Sequence, residues 1–194
     1  MKLCECLHAS VDWTKYYSPN PNTYLVFNLS LVGGILLSYT QPPHLMNDEI
    51  ESLLEEAKIA RFCSHNKDGT IHATPVWYRY EGGKIVLGTP IKSQKARNVE
   101  RNNNVTFLVD VEGPPTRGII IYGKAVLEKL SAEKMVSAGV SIFERYMAKD
   151  KAQIYAEGLG KISKWVKITI NPVKIASFDY GKDELYRKAS QGLL

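Results

Sequence analysis

Cysteine is scarce in this chain, which excludes a fold built on disulfides. The 194 residues contain three cysteines, Cys4, Cys6 and Cys63, an odd number without a framework spacing. This usage is typical of a reducing compartment, so we expect a cytoplasmic location. The motif Cys4-Glu5-Cys6-Leu7-His8 has no second pair of ligands nearby to complete a zinc site, and no metal site is predicted.

Long hydrophobic runs and tracts of one charge are also missing. Tyr24 to Tyr39 is an apolar run of sixteen residues. It is interrupted by polar residues and glycines and is shorter than the roughly 20 residues of a membrane span, so no stable membrane insertion is expected. The formal net charge of +5 is modest. Aromatic and basic residues do not alternate as in an RNA-binding sheet, so nucleic acid is not an expected partner.

Residues 1–45 differ in character from the rest of the chain. Their only charged residues are Lys2, Glu5, Asp12 and Lys15, so the whole excess positive charge lies after residue 45. We interpret this segment as an atypical N-terminal extension upstream of a natural start at Met46. The competing interpretation is a weak membrane-binding or partner-binding arm.

A helix is predicted directly after Met46. Ile50, Leu53, Leu54 and Ala57 have the spacing of one apolar helix face. Either Asn47 or Asp48 is expected to cap this helix, and acidic residues fill its first turn, as the helix dipole favours.

The remainder is dominated by β-pattern, which predicts a mainly β domain. Alternating apolar residues bounded by turn signals predict strands at Ile59–Ser64, Thr70–Tyr80, Lys84–Thr89, Val105–Val111, Arg117–Leu127, Trp165–Ile170 and Lys174–Asp179. Six or seven antiparallel strands with short turns indicate a closed or split β-barrel with accessory helices. The glycine fingerprint of a Rossmann fold is missing.

Helices are predicted at two places within this β-pattern. The first is a short helix, Ser93–Arg101, stopped by a left-handed Asn at 102–104. The second is a helix capped by Ser131 that runs to about Met147, with an extension at 152–157 broken by Gly158 and Gly160. Pro172 is expected to interrupt the last strand. The polar tail from Gly181 is expected to fray.

A cluster suited to a phosphate ester lies where the hairpin strand Lys84–Thr89 meets the short helix. Thr89 and Ser93 supply hydroxyls, and Lys92, Lys95 and Arg97 supply positive charge. Backbone N–H groups at a helix start add further donors for an anion. An exposed basic helix would show the same residues, so the flanking strands are needed to favour an anion site.

Four motifs in order support a family resemblance: His72-Ala73-Thr74-Pro75-Val76-Trp77-Tyr78, Gly83 to Thr89, Ser93-x-Lys95-x-x-Asn98, and Gly113-Pro114-Pro115-x-Arg117-Gly118. The pattern resembles the pyridoxamine 5′-phosphate oxidase-like flavin-binding split-barrel proteins. The likeness runs from about Ile59 to Leu127 and more weakly to residue 181. It implies a Greek-key, FMN-binding split barrel over residues 46–181, followed by a polar tail, 182–194.

The resemblance also implies a homodimer with flavin mononucleotide (FMN), or a deazaflavin coenzyme, in two clefts at the subunit interface. The strand Thr74–Trp77 would lie beside the isoalloxazine ring. The segment with Thr89, Ser93 and Lys95 would grip the phosphate, and Arg117 and Gly118 would come from the second subunit. The predicted cofactor-binding residues are Thr74, Pro75, Val76, Trp77, Thr89, Lys92, Ser93, Lys95, Asn98, Arg117 and Gly118.

The function implied by the resemblance is a flavin-dependent oxidoreductase acting on a small molecule, with no acid or base that can be named. The tail Lys182–Ala189 lacks the Arg-Leu-x-Pro type motif of genuine pyridoxamine 5′-phosphate oxidases, so the vitamin B6 reaction is not expected. Two alternatives stay open: a deazaflavin-dependent reductase, whose coenzyme tail Lys124, Lys129 and Lys134 could contact, and a non-catalytic flavin carrier. Haem handling lacks an obvious histidine ligand in the right segment.

Overall fold

The computed structural model describes residues 43–56 and 59–193 of the chain. Several expectations fall outside these ranges: the motif at residues 4–8, the apolar run at residues 24–39 and the contribution of Ala57 to the first helix. The natural start at Met46 and the domain boundaries at residues 45 and 181 stay predictions.

Seven antiparallel strands form one sheet in the described part of the chain, as predicted. Their bounds are β1 (Ala60–His65), β2 (Ile71–Val76), β3 (Arg79–Glu81), β4 (Lys84–Pro90), β5 (Asn104–Val111), β6 (Arg117–Glu128) and β7 (Trp165–Asp179). Their order across the sheet is β2-β1-β5-β6-β7-β4-β3. Strand β4 therefore pairs with β7 rather than with its sequence neighbour β5.

The sheet curls until its two ends approach each other, which makes the fold a split β-barrel. Strands β2 and β3 lie at opposite ends of the strand order. Only Trp77 and Tyr78 separate them in sequence, so the Cα atoms of Val76 and Arg79 lie at most about 11 Å apart. The apolar side chains of the inner face fill the space that this curl encloses, with Phe62, Phe107, Ile121, Ile168 and Leu87 fully buried.

The prediction of one long strand over Thr70–Tyr80 was wrong. The strand ends at Val76 and a new one begins at Arg79. Tyr78 is fully buried, and its hydroxyl donates a hydrogen bond to the carbonyl of Leu54 at 2.7 Å. Because this distant partner pulls Tyr78 into the core, the chain bends where local β-propensity favours continuation.

Pro172 does not interrupt the last strand, contrary to the prediction. Strand β7 runs through it, and the pairing with β6 shifts register beside Gly123. Because proline has no N–H to donate to the sheet, a bulge is where a strand tolerates it. A Cβ on Gly123 would lie 2.7 Å from the carbonyl oxygen of Asn171, so this irregularity requires glycine.

Five α-helices accompany the sheet within the described residues: α1 (Asn47–Glu56), α2 (Gln94–Arg101), α3 (Ala132–Phe143), α4 (Lys149–Ile162) and α5 (Glu184–Ser190). None of them combines the length and the apolar character needed to cross a lipid bilayer. Leu53 and Leu54 of α1 are buried in the core, as their spacing predicts.

The start of α1 differs from the prediction. The carbonyl of Met46 accepts the first helical hydrogen bond, from the N–H of Ile50, and the carboxylate of Glu49 accepts from the N–H of Met46 at 2.6 Å. The expected side-chain cap from Asn47 or Asp48 was therefore wrong. Just before the helix, Leu45 is buried and its N–H donates to the hydroxyl of Ser177 on β7 at 2.9 Å.

The helical region after Ser131 consists of two helices, α3 and α4, rather than one helix with a broken extension. Ser131 caps α3 as predicted, with its hydroxyl accepting from the N–H of Lys134. Gly158 and Gly160 lie inside α4. Ala152 and Ala156 of α4 pack against Val140 of α3, and this packing offsets a glycine cost of about 1 kcal/mol each.

The polar tail forms a short helix, so the expectation that it frays was wrong. Asp183 accepts a hydrogen bond from the N–H of Tyr186 at 2.9 Å and thereby caps α5. The rings of Tyr180 and Tyr186 lie 5.1 Å apart. Local capping, this aromatic contact and the pairing of Lys182 with Glu49 hold a segment that has no apolar face in its sequence.

Candidate functional site

The first turn of α2 carries two hydroxyls that are hydrogen-bonded to each other. Thr89, at the end of β4, is buried and donates to the hydroxyl of Ser93 at 2.9 Å. Ser93 is the N-cap residue, and its oxygen also accepts from the N–H of Ala96 at 3.2 Å. Because both lone pairs of the Ser93 oxygen are occupied, its own O–H is left to donate to a further partner.

Two backbone N–H groups beside Ser93 are available to an anion. Gln94 and Lys95 are the first two residues of α2, where helix geometry provides no acceptor. Among the described residues, no side chain or loop carbonyl accepts from them. The donors therefore point outward at the positive end of the helix dipole.

Positive charge is concentrated at this corner. Lys95 is half-buried, and burial lowers the pKa of its ammonium group. Lys92 is exposed, while the guanidinium of Arg97 folds back to bond the carbonyl of Lys92 and the side-chain oxygen of Gln94. The first turn of α2 contains no acidic residue. The corner therefore favours a compact anion such as a phosphate ester.

Asn98 is fully buried, and its carboxamide is saturated by protein groups. The NH₂ donates to Ser64 at 3.1 Å and to Asn66 at 2.9 Å. The oxygen accepts from Gln94 and from Arg101, each at 2.9 Å. A carboxamide has two hydrogens and two lone pairs, so this group has no capacity left for a further partner. Direct contact of Asn98 with a cofactor stays a prediction.

Asn66, in the turn between β1 and β2, was not identified by the sequence analysis. Its side-chain oxygen accepts from both Gln94 and Asn98, and its NH₂ donates to the hydroxyl of Thr70 at 3.0 Å. Nothing in its turn motif signals a partner 28 residues away along the chain.

At the other end of α2, Asn102 is extended, so the predicted left-handed stop was wrong.

The predicted ring-binding segment lies on the edge strand β2. Thr74 and Val76 are half-buried and point inward, whereas Pro75 is exposed on the outer face. Strand β2 pairs only with β1, so its other edge offers backbone groups without a strand partner. The edge position of Pro75 agrees with the expectation for a residue that lacks an N–H.

Trp77 follows this strand and belongs to an aromatic cluster that the sequence analysis missed. Its ring stacks on Tyr146 with centroids 4.7 Å apart and contacts Phe143 edge-on at 5.8 Å. The hydroxyl of Tyr146 also bonds both the N–H and the carbonyl of Tyr78. The ring of Tyr155 also lies 6.1 Å from that of Trp77, and Trp77 remains 37% exposed.

Arg117 and Gly118 are the first two residues of β6 and lie away from α2 along the strand direction. The guanidinium of Arg117 pairs with the carboxylate of Glu56 at 2.8 Å. Gly118 is buried, and a Cβ there would lie 2.7 Å from the ring of Phe178, so this glycine has a packing reason independent of any ligand.

The separation between Arg117 and α2 can be estimated from strand register. Asn98 bonds Ser64, which pairs with Val105, whereas Arg117 pairs with Val111. Six residues along β5 correspond to about 20 Å. A single chain therefore holds Thr89, Ser93 and Lys95 close together, and Arg117 lies about 20 Å away along the strand direction.

Surface hollows lie away from this corner. One, of about 290 Å³, is on the outer face of the sheet and is lined by His65, Thr106, Tyr122 and Lys124, among others. A second, shallower hollow includes Lys129. None of the eleven predicted cofactor residues lines either one.

Comparison with known structures supports the fold assignment. A conserved hypothetical protein from Mycobacterium tuberculosis is 27% identical, with a TM-score of 0.63 over 78% of this chain and 93% of its own. An F420 reductase is 19% identical, with a TM-score of 0.52 over 67% and 98%. An FAD-binding protein from Mesorhizobium loti is 16% identical, with a TM-score of 0.52 over 70% and 95%.

Sequence comparisons are more specific about family than about individual relatives. No curated protein gives a significant match. The sequence model described as pyridoxamine 5′-phosphate oxidase matches residues 46–170. This range contains strands β1 to β6, helix α2 and all eleven predicted cofactor residues. The chain therefore belongs to the pyridoxamine 5′-phosphate oxidase family, as the order of its motifs predicts.

Proposed function

We propose that this protein is a flavin-dependent oxidoreductase that binds FMN and acts on a small molecule as a cytoplasmic homodimer. The observation that carries the proposal is the capped start of α2. There the N–H groups of Gln94 and Lys95, the hydroxyl of Ser93 and the Lys95 ammonium are all donors, and no acidic residue lies in the first turn. A phosphate monoester is the ligand that such a set of donors fits.

The residues would divide the work of binding between the two ends of the cofactor. Ser93, Lys92 and Lys95 would hold the phosphate, while Thr89 orients the Ser93 hydroxyl. The edge of β2 and the exposed part of Trp77 would hold the ring and shield it from water. When bound, FMN supplies a ring that accepts and returns a hydride.

A second copy of the chain is part of this proposal. Arg117 lies about 20 Å along the sheet from α2, so it is not part of the phosphate-donor cluster of its own chain. The outer face of β2 and β6 exposes Ile71 by 55% and Tyr122 by 42%. Burying such apolar side chains against a symmetric partner would favour association and would bring Arg117 to the partner's ring.

A deazaflavin coenzyme is the second candidate, because one structural neighbour is an F420 reductase. Its long anionic tail would need cations beyond the phosphate corner. Lys124 lies in the outer hollow and donates to the side-chain oxygen of Asn104 at 2.6 Å, and Lys129 lines a second hollow. A non-catalytic carrier would use the same binding residues without turning over a substrate.

Affinity and spectroscopy of the purified protein test the proposal. We expect FMN to bind more tightly than riboflavin and than a deazaflavin coenzyme. Light scattering should give the mass of a dimer, and titration should give two sites per dimer. Bound FMN absorbs near about 450 nm, and bleaching by a nicotinamide donor followed by recovery with an acceptor would support an oxidoreductase. Tighter binding of the deazaflavin coenzyme would favour the second candidate. Binding of FMN without its reduction would favour the carrier. Failure to bind either FMN or the deazaflavin coenzyme would overturn the proposal.

A further inference from the structure

We propose that Asn66 and Asn98 are positioning residues that hold the first turn of α2 in place for the phosphate. This inference rests on the proposed function and assigns the two asparagines a role through the helix rather than through contact with the cofactor. Asn98 lies on the face of α2 that is turned toward β1, where it bonds Ser64. Asn66 lies in the turn that follows β1.

Helix α2 depends on tertiary contacts for its position. It has eight residues, and a helix of this length is not stable on its own in water. Its only buried apolar side chains are Ala96 and Val99, which bury little area. Polar contacts therefore provide much of its attachment to the barrel.

The polar contacts converge on the two asparagines. Asn98 uses all four of its hydrogen-bonding positions, two toward β1 and its turn and two toward α2 itself. Asn66 accepts from Gln94 at 3.1 Å and from Asn98 at 2.9 Å with the same oxygen. Gln94 is the first residue of α2, and its N–H is one of the two donors proposed for the phosphate. Asn66 therefore holds the side chain of Gln94, the residue whose backbone N–H is a proposed phosphate donor.

The turn that bears Asn66 is held by hydrogen bonds of its own. The N–H of Asn66 donates to the carbonyl of Thr70 at 2.8 Å, and its NH₂ donates to the Thr70 hydroxyl. That hydroxyl donates in turn to Asp68 at 2.6 Å. These bonds lower the pKa of Asp68 and keep it ionised, so the turn is held by a charged acceptor. Misplacing a donor by a fraction of an ångström is enough to weaken binding, so a rigid support has a functional consequence.

The test compares FMN with riboflavin, which differ only in the phosphate. Asn66→Ala should weaken FMN binding by about tenfold, the loss expected for one hydrogen bond to a charged group. Riboflavin binding should stay within about twofold of the wild type, because the ring contacts lie on β2. Asn103→Ala, an exposed asparagine just beyond α2, is the matched control and should change neither affinity.

Asn66 is preferred to Asn98 for this test because it is only half-buried, and melting by circular dichroism checks that the variant folds. An unchanged ratio of FMN to riboflavin affinity in Asn66→Ala would overturn the positioning role. Equal weakening of both ligands would overturn it as well, since the residue would then support the fold in general. If the wild-type protein binds neither ligand, the proposed function itself fails, which is a distinguishable result.

Discussion

The hydroxyl of Thr89 donates a hydrogen bond to the hydroxyl of Ser93 across 2.9 Å, where β4 ends and α2 begins. This contact joins a buried strand residue to a helix cap. Together with the N–H of Ala96 it occupies the acceptor positions of the Ser93 oxygen, so the Ser93 O–H is left to donate to a further partner. One short loop thus links the barrel core to a set of donors for an anion.

Removal of the Ser93 hydroxyl should affect both stability and ligand affinity. Ser93→Ala deletes the cap on the N–H of Ala96, and the free energy of unfolding should fall by about 1 kcal/mol. Because the same hydroxyl is a proposed phosphate donor, FMN affinity should also fall while riboflavin affinity is preserved. Chemical denaturation and ligand titration measure the two effects.

Ser131→Ala is the matched control for this experiment, since Ser131 caps α3 through the N–H of Lys134. It should lower stability by a similar amount and leave FMN affinity unchanged. Equal losses of FMN affinity in the two variants would mean that destabilisation, rather than a lost phosphate contact, explains the result for Ser93.

The charge of Lys95 should make FMN binding depend on pH in the alkaline range. Burial lowers the pKa of Lys95 in the unbound protein, so the group loses its proton at a lower pH than an ordinary lysine. The ratio of FMN to riboflavin affinity should therefore fall as the pH rises through that pKa. Lys95→Ala should weaken FMN binding by about ten- to a hundredfold at neutral pH and should abolish this slope.

In the unbound protein, stability should change with pH in the opposite direction to FMN affinity. A lysine whose pKa is lowered on folding binds fewer protons in the folded state, so the free energy of unfolding should rise as the pH increases toward the ordinary lysine value. Lys151→Ala, an exposed lysine on α4, is the matched control and should retain both slopes. Retention of the wild-type binding slope by Lys95→Ala would place the titrating group elsewhere.

Mixed dimers test whether Arg117 acts across the interface. FMN should bind weakly to Lys95→Ala homodimers and to Arg117→Ala homodimers. A heterodimer with one chain of each kind would contain one site with both residues intact, so it should bind one FMN with wild-type affinity. If Arg117 acted within its own chain, each site in the heterodimer would lack one residue and binding would stay weak.

Glu56→Gln controls for the ion pair that Arg117 makes in the single chain. The pair is partly exposed, and such pairs contribute between about 0 and 1 kcal/mol. We therefore expect this variant to fold normally and to bind FMN at least as well as the wild type. A loss equal to that of Arg117→Ala would assign the effect to the ion pair instead.

Tyr146 should stabilise the bend between β2 and β3. Its hydroxyl accepts from the N–H of Tyr78 at 2.9 Å and donates to the carbonyl of the same residue at 3.0 Å. Tyr146→Phe removes both bonds, and the free energy of unfolding should fall by about 1–3 kcal/mol. Tyr155→Phe, whose exposed ring lies 6.1 Å from that of Trp77, should stay within about 0.5 kcal/mol of the wild type in the same denaturation assay.

Local signals predicted much of the architecture. Alternating apolar residues predicted the inner face of β5, where Val105, Phe107 and Val109 are buried. Ser93 and Ser131 were each predicted to stand at a helix start, and each caps its helix. These features depend on residues within one turn or one strand, so the sequence alone contains the information.

Two of the wrong predictions share a different cause. The sequence could not predict the break after Val76, because Tyr78 is drawn inward by Leu54 and bonded by Tyr146, 68 residues away. Helix α4 continues through Gly158 because its alanines pack on α3. In both cases a distant partner outweighs a local propensity of about 1 kcal/mol or less.

The sequence by itself determined the family, the mainly β fold and the position of a cationic helix start after β4, because these follow from residue order and local spacing. Only the tertiary structure decided that Asn98 is fully occupied by Ser64, Asn66, Gln94 and Arg101, and that Arg117 lies far from α2. The physical reason is that hydrogen-bond saturation and strand register depend on partners brought together by folding, Ser64 lying 34 residues from Asn98 along the chain.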